Sequence, residues 1–105
     1  RILEAEGADV VGTVCIGDPD QMLPATIEMR NAVDIPVACQ PKGFRQEKNT
    51  EDVGYNVARY QMATSPEQMA EFALEAKAEG INYLGACCGA GPSHIKAMAE
   101  ALGLG

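Results

Sequence analysis

Three short apolar runs, each followed by a stretch of helical period, restrict what this chain can fold into more than any other feature. The runs cover residues 9–15, 35–40 and 82–86; the stretches behind them cover 19–32, 66–79 and 92–102. Runs that are nearly continuous in apolar residues suit strands buried on both faces. Their alternation with amphipathic helices predicts a parallel sheet covered by helices, an α/β fold.

The helix starts point the same way. Asp18-Pro19-Asp20-Gln21 and Ser65-Pro66-Glu67-Gln68 each supply a capping side chain, a proline whose fixed φ suits the first turn, and Gln three residues after the cap. Gly91-Pro92-Ser93-His94 is a weaker copy, and Gly7, Gly80 and Gly103 stand where helices should stop. Met69, Phe72, Ala73 and Ala76 form one apolar stripe, and Ile95, Met98, Ala99 and Leu102 form another. Both read as core packing. Pro24 is expected to kink or shorten the first long helix. The stretch 41–64 differs: it carries Gly43, Phe44, Gly54, Tyr55 and Tyr60 with no sustained period. A connection of that length after a strand reads as functional or unstructured.

With 105 residues, 47% of them hydrophobic, the chain reads as one unit, residues 1–105. No apolar run approaches the ~18 residues of a membrane span. A formal net charge of −7, with basic residues scattered apart from Lys42, Arg45 and Lys48, argues against a nucleic-acid surface. There is no export signal and no initiating Met, and Arg1 to Gly7 looks like the end of a helix already under way. The expectation is a portion of a larger cytoplasmic chain whose four cysteines stay reduced.

The thiols carry the chemistry. Cys87 and Cys88 adjoin one another between glycines, directly after the third apolar run, and Cys15 ends the first. Neighbouring thiols make poor disulfide partners. A soft metal ion can take both where a strand gives way to a loop, and a third thiolate leaves one tetrahedral position open for an exogenous ligand. Zinc held by Cys15, Cys87 and Cys88 would suit ionisation of a substrate thiol and alkyl transfer better than activation of water. Simpler readings stand beside this one. A buried cysteine is a common small hydrophobe, which is the reading for Cys39. His94 fits a capping or surface role better than that of a ligand or proton shuttle. The loop Gly89-Ala90-Gly91-Pro92 could cradle a phosphate, although no Lys or Arg supports it. The alternative reading is a metal- or redox-active binding module that uses the vicinal thiols.

Two segments resemble the homocysteine S-methyltransferase family, whose shared domain is a zinc-containing (β/α)8 TIM barrel. Gly80 to Gly89, continuing through Gly91-Pro92-Ser93-His94-Ile95, is similar to the family's Gly-Gly-Cys-Cys-Gly motif and its following helix. Gly7 to Cys15 is similar to the earlier cysteine strand. Two positions depart: Val14 stands where Asn is common, and Ala86 where a second glycine is usual. The resemblance implies that the chain holds about the last three βα units, the C-terminal part of one homocysteine-binding barrel. It implies Cys15, Cys87 and Cys88 as zinc ligands and homocysteine as the methyl acceptor, giving methionine. Gln40-Pro41 looks closer to the betaine-using branch, which favours betaine or a related onium donor over methyltetrahydrofolate or S-methylmethionine. With most of the barrel missing, this segment alone is expected to be inactive. A homo-oligomer stays open.

Overall fold

A computed structural model describes residues 1–46 and 61–104. Of the long connection, Lys48, Gly54, Tyr55 and Tyr60 lie outside the described residues. The chain runs α1 (Ile2–Ala5), β1 (Val11–Val14), α2 (Pro19–Ala32), β2 (Val37–Gln40), β3 (Phe44–Gln46), β4 (Gln61–Ala63), α3 (Pro66–Ala78), β5 (Tyr83–Leu84) and α4 (Pro92–Ala101). The expected α/β character holds: β1, β2 and β5 form a parallel sheet with β2 in the middle.

Register follows from which residues seek cover. Val11 pairs with Val37 and Val14 with Gln40, while Cys39 pairs with Leu84. Side chains alternate across a strand, so Val37 and Cys39 both enter the helix side and are fully buried. There Cys39 forms one core with Met22, Leu23, Met69, Phe72, Ala73, Ala76, Ile81 and Met98 of α2, α3, α4 and the chain before β5, while Val37 packs with Val11 and Val33 in a second, smaller cluster. Each large apolar side chain so buried contributes about 1.5–3 kcal/mol. Among the described residues no helix covers the opposite face. Val14 and Tyr83 remain 54% and 58% exposed. Helices therefore cover one face of a parallel sheet, although such sheets are ordinarily covered on both.

Cys39 is the small buried residue its surroundings suggested. Its sulfur accepts from Thr26 Oγ1 at 3.3 Å and from Thr13 Oγ1 at 3.6 Å, and the two hydroxyls lie 2.7 Å apart. The single Thr26 proton goes either to that sulfur or to the carbonyl of Met22 at 2.8 Å, and each member of the trio has a polar neighbour within the sheet–helix layer.

The helix starts behave as their sequences dictate. Asp18 and Ser65 accept from the N–H groups of Gln21 and Gln68, and both glutamine side chains return a bond to the cap backbone. Gly7, Gly80 and Gly103 follow the ends of α1, α3 and α4 with positive φ, as helix stops do. Other expectations need correction. Pro24 does not shorten α2, which runs unbroken from Pro19 to Ala32. Its ring lies on the exposed side, and the capped first turn with its buried Met22 and Leu23 offsets the lost bond. Ile95, expected in the α4 stripe, stays 48% exposed while Met98 is buried. The strands are shorter than their apolar runs, because Cys15 turns out of the extended region and β5 pairs only with β2. Finally, the irregular stretch contains paired strands: β3 and β4 run antiparallel, with Phe44 opposite Ala63. Three-residue strands carry too little alternation to be read in advance.

Loss of either capping side chain should act locally. Asp18→Ala and Ser65→Ala are each expected to cost about 1 kcal/mol, and Asp18→Asn much less. Urea unfolding of the full-length protein checks this.

Candidate functional site

Cys15 is carried by the end of β1, and Cys87 and Cys88 by the loop after β5. Parallel pairing through β2 brings these two strand ends to the same edge. The backbone N–H of Cys15 donates to the carbonyl of Gln40 at 3.0 Å, extending the ladder by one bond beyond β1. Cys15 then adopts φ +57°, the one left-handed non-glycine residue among those described. That conformation is uncommon for a side chain bearing a Cβ, and such outliers concentrate at functional sites.

The three sulfurs converge. Cys15 Sγ lies 3.5 Å from Cys88 Sγ, and Cys88 Sγ lies 3.8 Å from Cys87 Sγ. All three fall within 4.8 Å of one another, and among the described residues they form the one such grouping of metal-binding side chains. All are free thiols. An ion holding sulfurs tetrahedrally at about 2.3 Å needs them about 3.8 Å apart. The trio therefore fits one soft divalent ion, with Cys15 and Cys87 half-buried and Cys88 exposed.

The thiol loop is held from beside it by the chain after β2. Cys87 N–H donates to the carbonyl of Pro41 at 2.8 Å, and Gly43 N–H donates to the carbonyl of Cys88 at 2.7 Å. The approach is so close that a Cβ on Gly43 would stand 2.5 Å from the Ala90 nitrogen. Gly89, at φ +84°, lies under the Phe44 ring, where a Cβ would come within 2.6 Å of the ring atoms. Glycine is required at both places. Gly43 was legible in the sequence only as part of an irregular loop; nothing there showed which backbone it would touch.

The remaining candidates stand apart from the sulfurs. Cys39 is in the core. His94 caps the first turn of α4: its Nδ1 accepts from Gly91 N–H at 3.0 Å. The phosphate cradle has little to offer, because Gly91 N–H is taken by His94 and Ala90 N–H by the carbonyl of Cys87.

Protons are shared unequally among the thiols. Hydrogen bonding from the Cys87 thiol holds Cys15 below the usual thiol range; the Cys88 backbone N–H and thiol add to this, and the charge of Lys42 contributes last. The same bond to Cys15 pushes the Cys87 thiol upward. Cys15 is thus the first of this pair to become a thiolate.

The model of the homocysteine S-methyltransferase family matches residues 1–102, nearly the whole chain. The chain belongs to the homocysteine S-methyltransferase family. Among curated members of that family it is 30% identical to betaine–homocysteine S-methyltransferase 1 of Danio rerio, over 97% of this chain and 28% of that protein. It is 32% identical to the S-methylmethionine–homocysteine S-methyltransferase of Pongo abelii, over 97% of this chain and 31% of that one. The chain therefore spans about three-tenths of the length of these homocysteine S-methyltransferases. Among the described residues no helix is long and apolar enough to cross a membrane.

The thiol order yields a pH prediction for the chain in its metal-free form. Cys15, with its lowered pKa, should begin to react with iodoacetamide at a lower pH than Cys87, whose pKa is raised. Peptide mass spectrometry across a pH series measures both rates. Equal pH profiles would contradict the unequal sharing.

Proposed function

We propose that these residues are the C-terminal part of a single (β/α)8 barrel, about 250 residues in such folds, that transfers a methyl group to homocysteine. In this reading Cys15, Cys87 and Cys88 hold zinc as thiolates at the carboxyl ends of their strands, where barrel enzymes build their sites. The observation that carries it is the convergence of three sulfurs from two strand ends at separations suited to one tetrahedral ion. The bare face, with Val14 and Tyr83 exposed, then lines the barrel interior.

When bound there, zinc supplies a Lewis acid that keeps the incoming homocysteine thiol ionised near neutral pH. The chain's own contribution is geometric. Cys15, Cys87 and Cys88 would hold the ion, and the glycine-tight loop fixes the Cys87 and Cys88 sulfurs against the strand ends. The homocysteine sulfur forms a bond to the methyl carbon of the donor. The bond from that carbon to the donor's onium atom breaks, and its electron pair stays on that atom, which thereby loses its positive charge.

The donor is an onium compound of betaine type, acting in a reducing compartment such as the cytoplasm. Support comes from Gln40-Pro41 at the end of β2 and from relatives named for betaine and for S-methylmethionine, both onium donors. Homocysteine is common to both names.

The full-length protein should carry about one zinc per chain and form methionine from homocysteine and betaine. Cys15→Ala should lower metal affinity by more than about 100-fold, beyond the loss usual for an outer-shell change. Homocysteine should add a fourth sulfur to the metal's neighbours in X-ray absorption. A Cys15→Ala protein that kept its zinc, or kept thiol–disulfide exchange at Cys87 and Cys88 as its only chemistry, would favour a redox module instead.

A further inference from the structure

His94 does more than start a helix. In α2 and α3 the third helical position is Gln, and its side chain accepts from the N–H of the capping residue. In α4 the same bond is made by His94 Nδ1, which accepts from Gly91 N–H at 3.0 Å. Glutamine would serve equally for that bond. What it would lack is the second nitrogen, since His94 Nε2 lies 2.6 Å from the carbonyl oxygen of Thr64. A carbonyl only accepts, so Nε2 carries the proton and Nδ1 the lone pair: a neutral imidazole with each nitrogen in a different role.

The second bond leads to the thiols. Thr64 N–H donates to the carbonyl of Gly43 at 2.9 Å, and Gly43 N–H donates to the carbonyl of Cys88 at 2.7 Å. Hydrogen bonds made by the backbones of Thr64 and Gly43 therefore link the His94 ring to the carbonyl of Cys88. His94 also fixes the other end of that loop at Gly91, three residues beyond Cys88. The segment 88–91 is thus gripped at both ends by one side chain, directly at Gly91 and through Thr64 and Gly43 at Cys88. Thr64 is buried, which shields this path from water.

We propose that His94 is a positioning residue for the Cys87–Cys88 pair, holding the loop in its metal-binding geometry by bridging Gly91 N–H to the Thr64 carbonyl. The inference rests on the zinc reading above. It explains why histidine replaces glutamine at the third position of this helix alone.

The test compares His94→Gln and His94→Ala in the full-length protein by cobalt(II) titration in competition with a chromophoric chelator. The Gln variant keeps the cap and loses the bridge; the Ala variant loses both. Cobalt affinity is expected to fall about tenfold in His94→Gln, and by at least as much in His94→Ala. Far-ultraviolet circular dichroism of the Gln variant should match the unsubstituted protein. Amide exchange in the metal-free Gln variant should quicken at Gly43 while Gly91 stays protected. Affinity within about twofold of the unsubstituted protein in His94→Gln would reduce His94 to a cap and overturn the proposal. So would failure of the Gln variant to fold, because a bond that only places a loop is not needed for folding. If the unsubstituted protein showed no thiolate-to-cobalt charge-transfer band, the zinc reading would fall and this one with it. A normal band with unaltered affinity in the variants removes this one alone.

Discussion

Cys15 and Cys88 are 73 positions apart in the chain, and the parallel pairing of β2 with both its neighbours closes that distance. A parallel ladder puts all carboxyl ends on one edge. An antiparallel arrangement would have sent one cysteine segment to the far side. Thr13 opposite Cys39 and Cys39 opposite Leu84 set the register. A slip of one residue would turn Val37 and Cys39 away from the helices and exchange the buried face for the bare one. The core and the sulfur cluster thus depend on the same alignment, one through its side chains and the other through its ends.

Backbone groups do much of the holding around the thiols. Pro41, Gly43, Cys87 and Cys88 exchange main-chain bonds outside any regular element, which accounts for polar groups that a loop would otherwise leave to water. Side chains are kept small where those backbones meet. The connection after β2 therefore behaves as a brace for the thiol loop as well as a link to α3.

Much of this was legible in the residues. The Pro and Gln pattern after Asp18 and Ser65 located α2 and α3 almost to the residue, because capping is local chemistry. The adjacent cysteines between glycines pointed to a shared ligand, and the structure brings Cys15 to them. Less was legible where the cause is long-range. The left-handed turn at Cys15 has no local signal, since cysteine carries no preference for it. The pairing of β3 with β4 spans short segments without period. The reach of His94 to Thr64 joins residues 30 positions apart, and no sequence spacing announces it. Pro24 does not shorten α2, because the cap and the buried contacts of Met22 and Leu23, which no local rule for proline includes, hold the helix through it.

The backbone at Cys15 also affects how replacements there are to be interpreted. With φ at +57°, any residue other than glycine at that position bears a handedness cost in addition to whatever its side chain removes. Alanine and serine lose the sulfur and keep the cost of about 1–2 kcal/mol. Glycine loses the sulfur and relieves it, so a glycine variant could gain in resistance to unfolding while giving up its ligand. Thermal stability and metal retention at this one residue are therefore separable quantities, pulled in opposite directions by the same substitution.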